Sequence, residues 1–197
     1  MNIARLSKSL FLAVAFLASG YSMQTVSAKL PPVGQGVVLV PPAKIANMAN
    51  TSFKRGKIVD FQSAQSPGSI IIVTQKKRLY YVLGNGKAVQ YAVATAKPGF
   101  EWAGTHKISA KAQWPEWRPP ADMRKRRPEL PAYMAGGPKN PLGARAMYLG
   151  SSIYRIHGTN EPSSIGKSAS SGCIRMLNAD VTELFSHAKV GATVVVM

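Results

Sequence analysis

The chain has 197 residues, with 25 lysines and arginines against 8 acidic residues and a formal net charge of +17. Its 46% hydrophobic content suits one globular domain with an ordinary core, and its single cysteine excludes an intrachain disulfide. Such a positive charge indicates an anionic partner or substrate, with a plain solubility role as the alternative.

The first 28 residues have the pattern of a secretory signal peptide. Arg5 and Lys8 precede an apolar run at 10–18, and small residues at 26–28 offer a cleavage site. The apolar run is too short to cross a bilayer, which takes about 20 residues. We therefore predict export to the periplasm or cell wall with no stable transmembrane segment in the mature form; an uncleaved anchor is the alternative. Export makes cell-wall polymers, phosphorylated glycolipids or anionic membrane surfaces better partners than nucleic acid.

Residues 29–68 are predicted to form a weakly structured tether. They contain Pro31-Pro32 and Pro41-Pro42, scattered glycine and serine, and one apolar run at 37–40. The folded domain is therefore expected to cover residues 69–197.

This domain is predicted to be mainly β. Runs rich in β-branched and aromatic residues alternate with turn residues such as Gly84-Asn85-Gly86. The predicted strands cover residues 69–74, 78–83, 88–94, 105–113, 146–149, 153–157 and 193–196.

One helix is predicted near the C-terminus. Asn178 offers an N-cap, Val181, Leu184 and Ala188 recur at helical spacing, and Gly191 closes the segment. Because this helix closely follows the cysteine, its apolar face is expected to brace the segment that carries the cysteine.

The residues between Trp114 and Gly143 break the strand pattern. Prolines recur throughout, and a basic run occupies 124–127. A loop of about 30 residues inside a compact domain is usually functional or disordered. Two interpretations stay open. One is a lid or groove for a large anionic ligand, with Tyr133 among the substrate-binding residues; the other is a solvated basic loop whose tryptophans cover the core.

Cys173 and His157 are the candidates for a nucleophilic pair. A thiol attacks a carbonyl as its thiolate, and a nearby imidazole can take its proton. Alternation at 153–157 places Arg155 and His157 on one strand face. Gly172 permits a sharp turn that frees backbone N–H groups for a developing oxyanion. The alternative is a buried, inert cysteine. The sequence has no metal-ligand spacing and no phosphate-binding glycine loop, so no metal or cofactor is predicted.

Several motifs near the C-terminus occur in a characteristic order. His157-Gly158-Thr159 is followed by Ser170-Ser171-Gly172-Cys173-Ile174-Arg175, and both are preceded by Gly136-Gly137-Pro138 and by residues 140–145. This set resembles the L,D-transpeptidase family, whose catalytic unit is called the YkuD domain. The resemblance implies a β-rich fold in which the cysteine attacks a peptidoglycan stem peptide, at the L-centre of the diamino acid that precedes a terminal D-Ala. D-Ala leaves, a thioester remains, and an amine of another stem peptide or of an outer-surface protein then forms the new amide.

The resemblance also implies roles for individual residues. Cys173 would be the nucleophile and His157 the general base, with the Gly158 carbonyl orienting the imidazole. Backbone N–H groups of Gly172 and Cys173 would stabilise the oxyanion, and Arg175 would order the site or bind a substrate carboxylate.

The motif departs from many relatives at Ser171, where they have histidine. Ser171 is expected either to donate a hydrogen bond to substrate or to act as a turn residue. Asn140 and Arg145 also match family positions, and we expect structural roles for them.

Two alternatives to a transpeptidase remain open. Water could resolve the same thioester, which would make the protein an L,D-carboxypeptidase or a hydrolase of cross-links. A non-catalytic basic protein that binds peptidoglycan is the alternative from a different class.

Overall fold

The structure is a computed structural model that describes residues 52–197. The predicted signal peptide, residues 1–28, and the first part of the predicted tether lie outside the described residues. Within the described range the fold is mainly β, as predicted. No helix of residues 52–197 is long and apolar enough to cross a membrane.

The strands and helices follow one another closely along the chain. The strands are β1 (Lys57–Asp60), β2 (Ile70–Val73), β3 (Arg78–Gly84), β4 (Lys87–Ala92), β5 (Thr95–Ala96), β6 (Gly104–Gln113), β7 (Arg145–Leu149), β8 (Arg155–His157), β9 (Ser168–Ser170), β10 (Ile174–Arg175) and β11 (Thr193–Val196). The helices are α1 (Ala121–Arg126) and α2 (Asn178–His187), with a 3₁₀ turn at Pro162–Ser164. Each predicted strand is present, with its ends shifted by two residues at most.

Most of these strands form a single sheet. Within residues 52–197 its order is β1-β4-β3-β2-β11-β6-β7-β8-β10, while β5 and β9 form a separate parallel pair. Strand β11 runs parallel to β2 on one side and antiparallel to β6 on the other. Residues 193–196 therefore join the β1–β4 half of the sheet to the β6–β10 half.

The two faces of β2 are both buried, which accounts for its continuous apolar run. Ile70 and Ile72 lie in the larger core, together with Leu184 of α2. Ile71 lies in a smaller cluster on the opposite face, against which Phe61 packs. The larger core extends under β7, β8 and β10 and so supports the strands that carry the candidate site.

The predicted tether, residues 29–68, includes residues that belong to the folded domain. Strand β1, at 57–60, pairs antiparallel with β4, and the ring of Phe61 stacks on Tyr80 at 4.2 Å between centroids. The backbone N–H groups of residues 54, 55 and 56 donate to the carboxylate of Glu183 on α2. The tether prediction was therefore wrong for residues 54–60. A four-residue edge strand, preceded by residues whose acceptor Glu183 lies far along the chain, is not recognisable from a local sequence pattern.

Helix α2 is present where it was predicted, but Asn178 does not cap it. Asn178 is the first helical residue, and its Oδ1 accepts the N–H groups of Ala144 (2.9 Å) and Thr159 (3.1 Å). At the other end, Lys111 Nζ donates to the carbonyls of Phe185 (2.6 Å) and Ala188 (2.7 Å). Lys111 thus satisfies carbonyl groups that a helix C-terminus leaves free.

Candidate active site

The cysteine and histidine segments are neighbours in the sheet. Strands β8 and β10 run parallel, with Ile156 opposite Ile174 and His157 opposite Arg175. Both isoleucines are buried in the core. Because side chains alternate along a strand and paired residues share a face, Arg155 and His157 project from the opposite face. Cys173, one residue before β10, faces the same side.

These side chains line a cavity of about 530 Å³. One side, the strand wall, consists of Arg155, His157, Ser170, Ser171, Cys173 and Arg175. The other side, the loop wall, comes from the proline-rich segment and consists of Trp117, Met123, Arg126, Arg127, Leu130 and Met134. The structure therefore favours the groove interpretation of the basic loop over the solvated one.

Tyr133 does not contribute to the cavity lining. Its ring is 46% exposed, and the Arg118 guanidinium lies 4.6 Å from the ring centroid. The next residue, Met134, lines the cavity instead. The backbone of Met134 exchanges two 2.8 Å hydrogen bonds with the backbone of Trp117. The prediction that Tyr133 lies at the substrate site is not supported.

His157 is almost fully buried, with 4% of its surface exposed. Its Nδ1 lies 2.6 Å from the Gly158 carbonyl oxygen. A carbonyl only accepts hydrogen bonds, so Nδ1 donates and Nε2 is left as the proton acceptor. Burial is the main reason why the pKa of His157 is lowered to about 3. The positive charges of Arg175 and Arg155 lower the pKa further, whereas hydrogen bonds to the carbonyls of Gly158 and Leu142 raise it.

Gly158 is required for close packing as well as for its carbonyl. A side chain at this position would collide with Asn178 Oδ1 and press on the backbone of Ala144. The same Asn178 oxygen accepts the Thr159 N–H, one residue further on. The start of α2 thus fixes the backbone that follows the histidine.

Cys173 is half-buried, and its thiol rests neutral. Within residues 52–197, its Sγ makes one hydrogen bond, to the Ile153 carbonyl oxygen at 4.0 Å, and none to His157. Burial raises the pKa of the Cys173 thiol, and the positive charges of Arg155 and Arg175 act against this rise. With the imidazole also neutral, the resting pair carries no charge.

The turn before the cysteine is as sharp as predicted, since Gly172 has φ +113°. Its N–H group, however, donates to Ser170 Oγ at 3.1 Å, and Ser170 Oγ donates to the Cys173 carbonyl at 2.6 Å. The prediction that the Gly172 N–H is free for an oxyanion is therefore wrong. Among the described residues, the Cys173 N–H has no hydrogen-bond partner and remains available.

An aromatic pair supports this turn from behind. Trp102 Nε1 donates to the Gly172 carbonyl at 2.7 Å, and its ring stacks on Tyr154 with centroids 4.2 Å apart. The Tyr154 ring occupies the space that a side chain at Gly172 would need. Sequence reasoning missed Trp102 because it lies 70 residues from the turn.

The remaining predicted residues have clear positions. Arg175 Nη1 pairs with Glu161 at 3.1 Å, so its guanidinium already has a carboxylate partner. Ser171 lines the cavity, and its hydroxyl makes no hydrogen bond to any described residue. Asn140 is 1% exposed and donates to the carbonyls of Pro115 and Ala135, so it has the expected structural role. Within residues 52–197, no three His, Cys, Asp or Glu side chains converge as metal ligands.

Fold and site together define a mainly β domain with a thiol and an imidazole on adjacent parallel strands, facing one basic cavity. A family model described as the L,D-transpeptidase catalytic domain (YkuD) matches residues 67–196. The chain therefore belongs to the L,D-transpeptidase family.

Individual relatives agree with this assignment. A probable L,D-transpeptidase ErfK/SrfK of Escherichia coli K12 is 36% identical over 134 residues, which are 64% of this chain and 42% of that protein. A putative L,D-transpeptidase YqjB of Bacillus subtilis 168 is 36% identical over 138 residues, 66% of this chain and 72% of that protein. The chain thus spans about two fifths of the length of the E. coli relative.

A solved structure supports the fold. The catalytic domain of an E. faecium L,D-transpeptidase aligns with a TM-score of 0.54 and 18% identity, over 69% of this chain and all of that domain.

Proposed function

We propose that the protein is an exported cysteine L,D-transpeptidase that acts on peptidoglycan stem peptides through a thioester acyl-enzyme. The observation that carries the proposal is the placement of His157 and Cys173 on paired strands that face one basic cavity. Family membership supports the reaction class, and the pattern of residues 1–28 supports export.

The acylation step begins from the neutral pair. The step requires Sγ to leave the Ile153 carbonyl and approach His157 Nε2, a contact of the kind that commonly tightens only when substrate binds. Nε2 takes the thiol proton as the sulfur attacks the amide carbon at the L-centre of the diamino acid. The Gly158 carbonyl holds Nδ1–H and stabilises the imidazolium that forms.

The tetrahedral intermediate then collapses. The Cys173 N–H, which has no hydrogen-bond partner among the described residues, donates to its oxyanion. The imidazolium gives its proton to the departing nitrogen of D-Ala, and the thioester remains. An acceptor amine attacks this thioester, His157 takes the amine proton, and the cysteine sulfur leaves. The energy of the new amide comes from the amide that was broken.

The charge of the cavity suits such a substrate. Arg126 and Arg127 of the loop wall, and Lys97 and Lys139 at its margin, add positive charge to that of Arg155 and Arg175. Stem peptides carry free carboxylates, which this potential attracts. Trp117, Met123 and Met134 supply apolar surface for the rest of the peptide.

The test is incubation of the mature protein with purified disaccharide tetrapeptide, followed by mass spectrometry. We expect a thioester adduct on Cys173 and a cross-linked dimer. Cys173→Ala should abolish both, and His157→Ala should slow acylation roughly 10³-fold, because the base and the nucleophile act as a unit. If the folded wild-type protein gives neither adduct nor peptide product where a relative is active, the proposal fails.

The acceptor is decided by the same assay. A cross-linked dimer, or a product joined to an added amine, identifies a transferase, whereas shortened peptides alone identify an L,D-carboxypeptidase. An outer-surface protein that is a physiological acceptor would appear as a peptide-linked product when it is added in place of the second stem peptide.

A further inference from the structure

Arg155 belongs to the strand wall and lies beside Cys173. The pairing of Ile156 with Ile174 sets Arg155 beside Cys173 on the neighbouring strand. Both side chains face the cavity. Arg155 is therefore the cation that the sheet register itself places next to the sulfur.

The polar groups of Arg155 are only partly satisfied. Nη1 donates to the Ile153 carbonyl at 3.0 Å, and the guanidinium lies 5.2 Å from the centroid of the Tyr148 ring. Its Nε is buried and has no hydrogen-bond partner in the described part of the chain. A buried donor without a partner is uncommon and costly, and it calls for an explanation.

Arg155 also differs from Arg175 in its charge partner. Arg175 pairs with Glu161, whereas no described carboxylate lies within ion-pair distance of Arg155. The Ile153 carbonyl that accepts from Arg155 Nη1 is also the polar contact of Cys173 Sγ. The guanidinium and the thiol thus converge on one backbone oxygen, with an unused N–H nearby.

We propose that Arg155 stabilises the Cys173 sulfur as it becomes negative, with the unpartnered Nε–H as the donor that the thiolate accepts. This inference rests on the proposed function, in which Cys173 is the nucleophile. The donor is held in place before reaction, and a neutral thiol is only a weak acceptor for it. Its interaction with sulfur therefore strengthens when the thiol loses its proton, which is the condition for an effect on rate.

The electrostatics of the site agree with this geometry. Burial raises the pKa of the Cys173 thiol, and the charge, backbone N–H and side chain of Arg155 all act to lower it, together with the more distant charge of Arg175. Position 171, next to the turn, is an uncharged serine. The other titratable groups that line the cavity are Tyr154, His157, Glu161, Lys97, Lys139, Arg126 and Arg127.

The test measures the pH dependence of Cys173 alkylation by iodoacetamide in the full mature protein. Iodoacetamide is small and neutral, so its rate reports the thiolate without requiring peptide binding. In Arg155→Met we expect the alkylation profile to move up by about one pH unit, or roughly tenfold slower alkylation at a fixed pH below the transition. Arg155→Lys should restore part of the shift.

Arg78→Met is the matched control. Arg78 is also a half-buried strand arginine whose Nη1 donates to a local carbonyl at 3.0 Å, but it lies on β3 and does not line the cavity. Its profile should superimpose on that of the wild type. If Arg155→Met does not fold, the comparison of Arg155→Lys with wild type carries the test, since a lysine cannot reproduce the Nε geometry.

Two results would overturn the inference. One is a folded Arg155→Met whose iodoacetamide profile matches the wild type. The other is a variant that slows only iodoacetate, or raises KM for the tetrapeptide with kcat unchanged, because Arg155 would then bind a substrate carboxylate. The inference predicts a fall in kcat with little change in KM. A profile shift without any peptide turnover would leave the assignment of Arg155 standing while the transpeptidase proposal failed.

Discussion

The two walls of the cavity differ in how far they are buried and in what holds them in place. The strand wall rests on the main core, and burial there holds His157 and Cys173 neutral. The loop wall combines the exposed Arg126 and Arg127 with four half-buried apolar side chains. It is held by backbone hydrogen bonds between Trp117 and Met134 and by the buried Asn140. In the proposed function, the chemistry takes place at the strand wall, where displacement of a side chain is costly, and the loop wall attracts the substrate.

The largest expected effect is the pH dependence that burial of His157 imposes on stability. The folded pKa of about 3 lies below the ordinary 6.5, so the unfolded state takes up a proton first as the pH falls. Stability is therefore present above pH 6.5 and is lost between pH 6.5 and about 3, by up to ~1.4 kcal/mol per pH unit.

Urea unfolding of wild type and His157→Gln across this range measures that loss. The wild-type free energy of unfolding should fall more steeply than that of the variant, while His106→Gln, which keeps His157, should follow the wild type. Parallel curves for wild type and His157→Gln would contradict the claim that the strand wall derives its reactivity from burial.

Next in size is Gly172→Ala. The alanine must adopt φ +113° and its Cβ would meet the Tyr154 ring. Gly166 also has a positive φ, +84°, but open space around it. We expect Gly172→Ala to cost about 2 kcal/mol more than Gly166→Ala in the free energy of unfolding, and to displace Cys173 enough to lower kcat. Equal losses in the two variants would show that the aromatic pair does not constrain the turn.

A smaller effect is expected for Trp102→Phe. The substitution keeps an aromatic ring on Tyr154 but removes the Nε1 donor to the Gly172 carbonyl, at about 1 kcal/mol. Trp114→Phe is the control, since Trp114 is 44% exposed. Thermal unfolding and kcat should both fall for Trp102→Phe alone. A fall in stability without any change in kcat would limit Trp102 to a structural role.

The smallest effect is expected on the loop wall. Arg126→Gln with Arg127→Gln removes two charges that line the cavity, whereas Arg124→Gln with Lys125→Gln removes two from the same helix that do not. Only the first pair should raise KM for the tetrapeptide, by about threefold to tenfold, with kcat kept and the difference reduced by salt. A large fall in kcat would place chemistry on the loop wall and break the comparison.

Much of the sheet could be predicted because its long strands are continuous apolar runs or alternate regularly. Strands β1, β5, β9 and β10, of two to four residues, could not be predicted. Strand β10 has only two residues, and the residues that lead into β1 bind Glu183, more than 120 residues away. Asn178 has the residue type and position of an N-cap. Its side-chain oxygen, however, accepts hydrogen bonds from the N–H groups of Ala144 and Thr159, which are distant in sequence.

The sequence predicted that Cys173 and His157 lie near one another, but not the strand register that brings them to one cavity. Alternation at 153–157 correctly placed Arg155 on the face of His157. Only the pairing of β8 with β10 shows that this face meets Cys173. A sequence motif also does not show whether a backbone N–H group is free. The Gly172 N–H, for example, donates to the hydroxyl of Ser170, two residues earlier.

The position of β11 has a consequence for the order in which the domain assembles. The halves β1–β4 and β6–β10 are bridged by residues 193–196, which come after every other strand of the described range. A chain that emerges from its N-terminus cannot complete the sheet until these residues are available, and pairing so distant in sequence is slow. For a protein exported as we propose, this delay favours an incompletely folded chain during synthesis, and completion of the strands that carry His157 and Cys173 depends on residues 193–196.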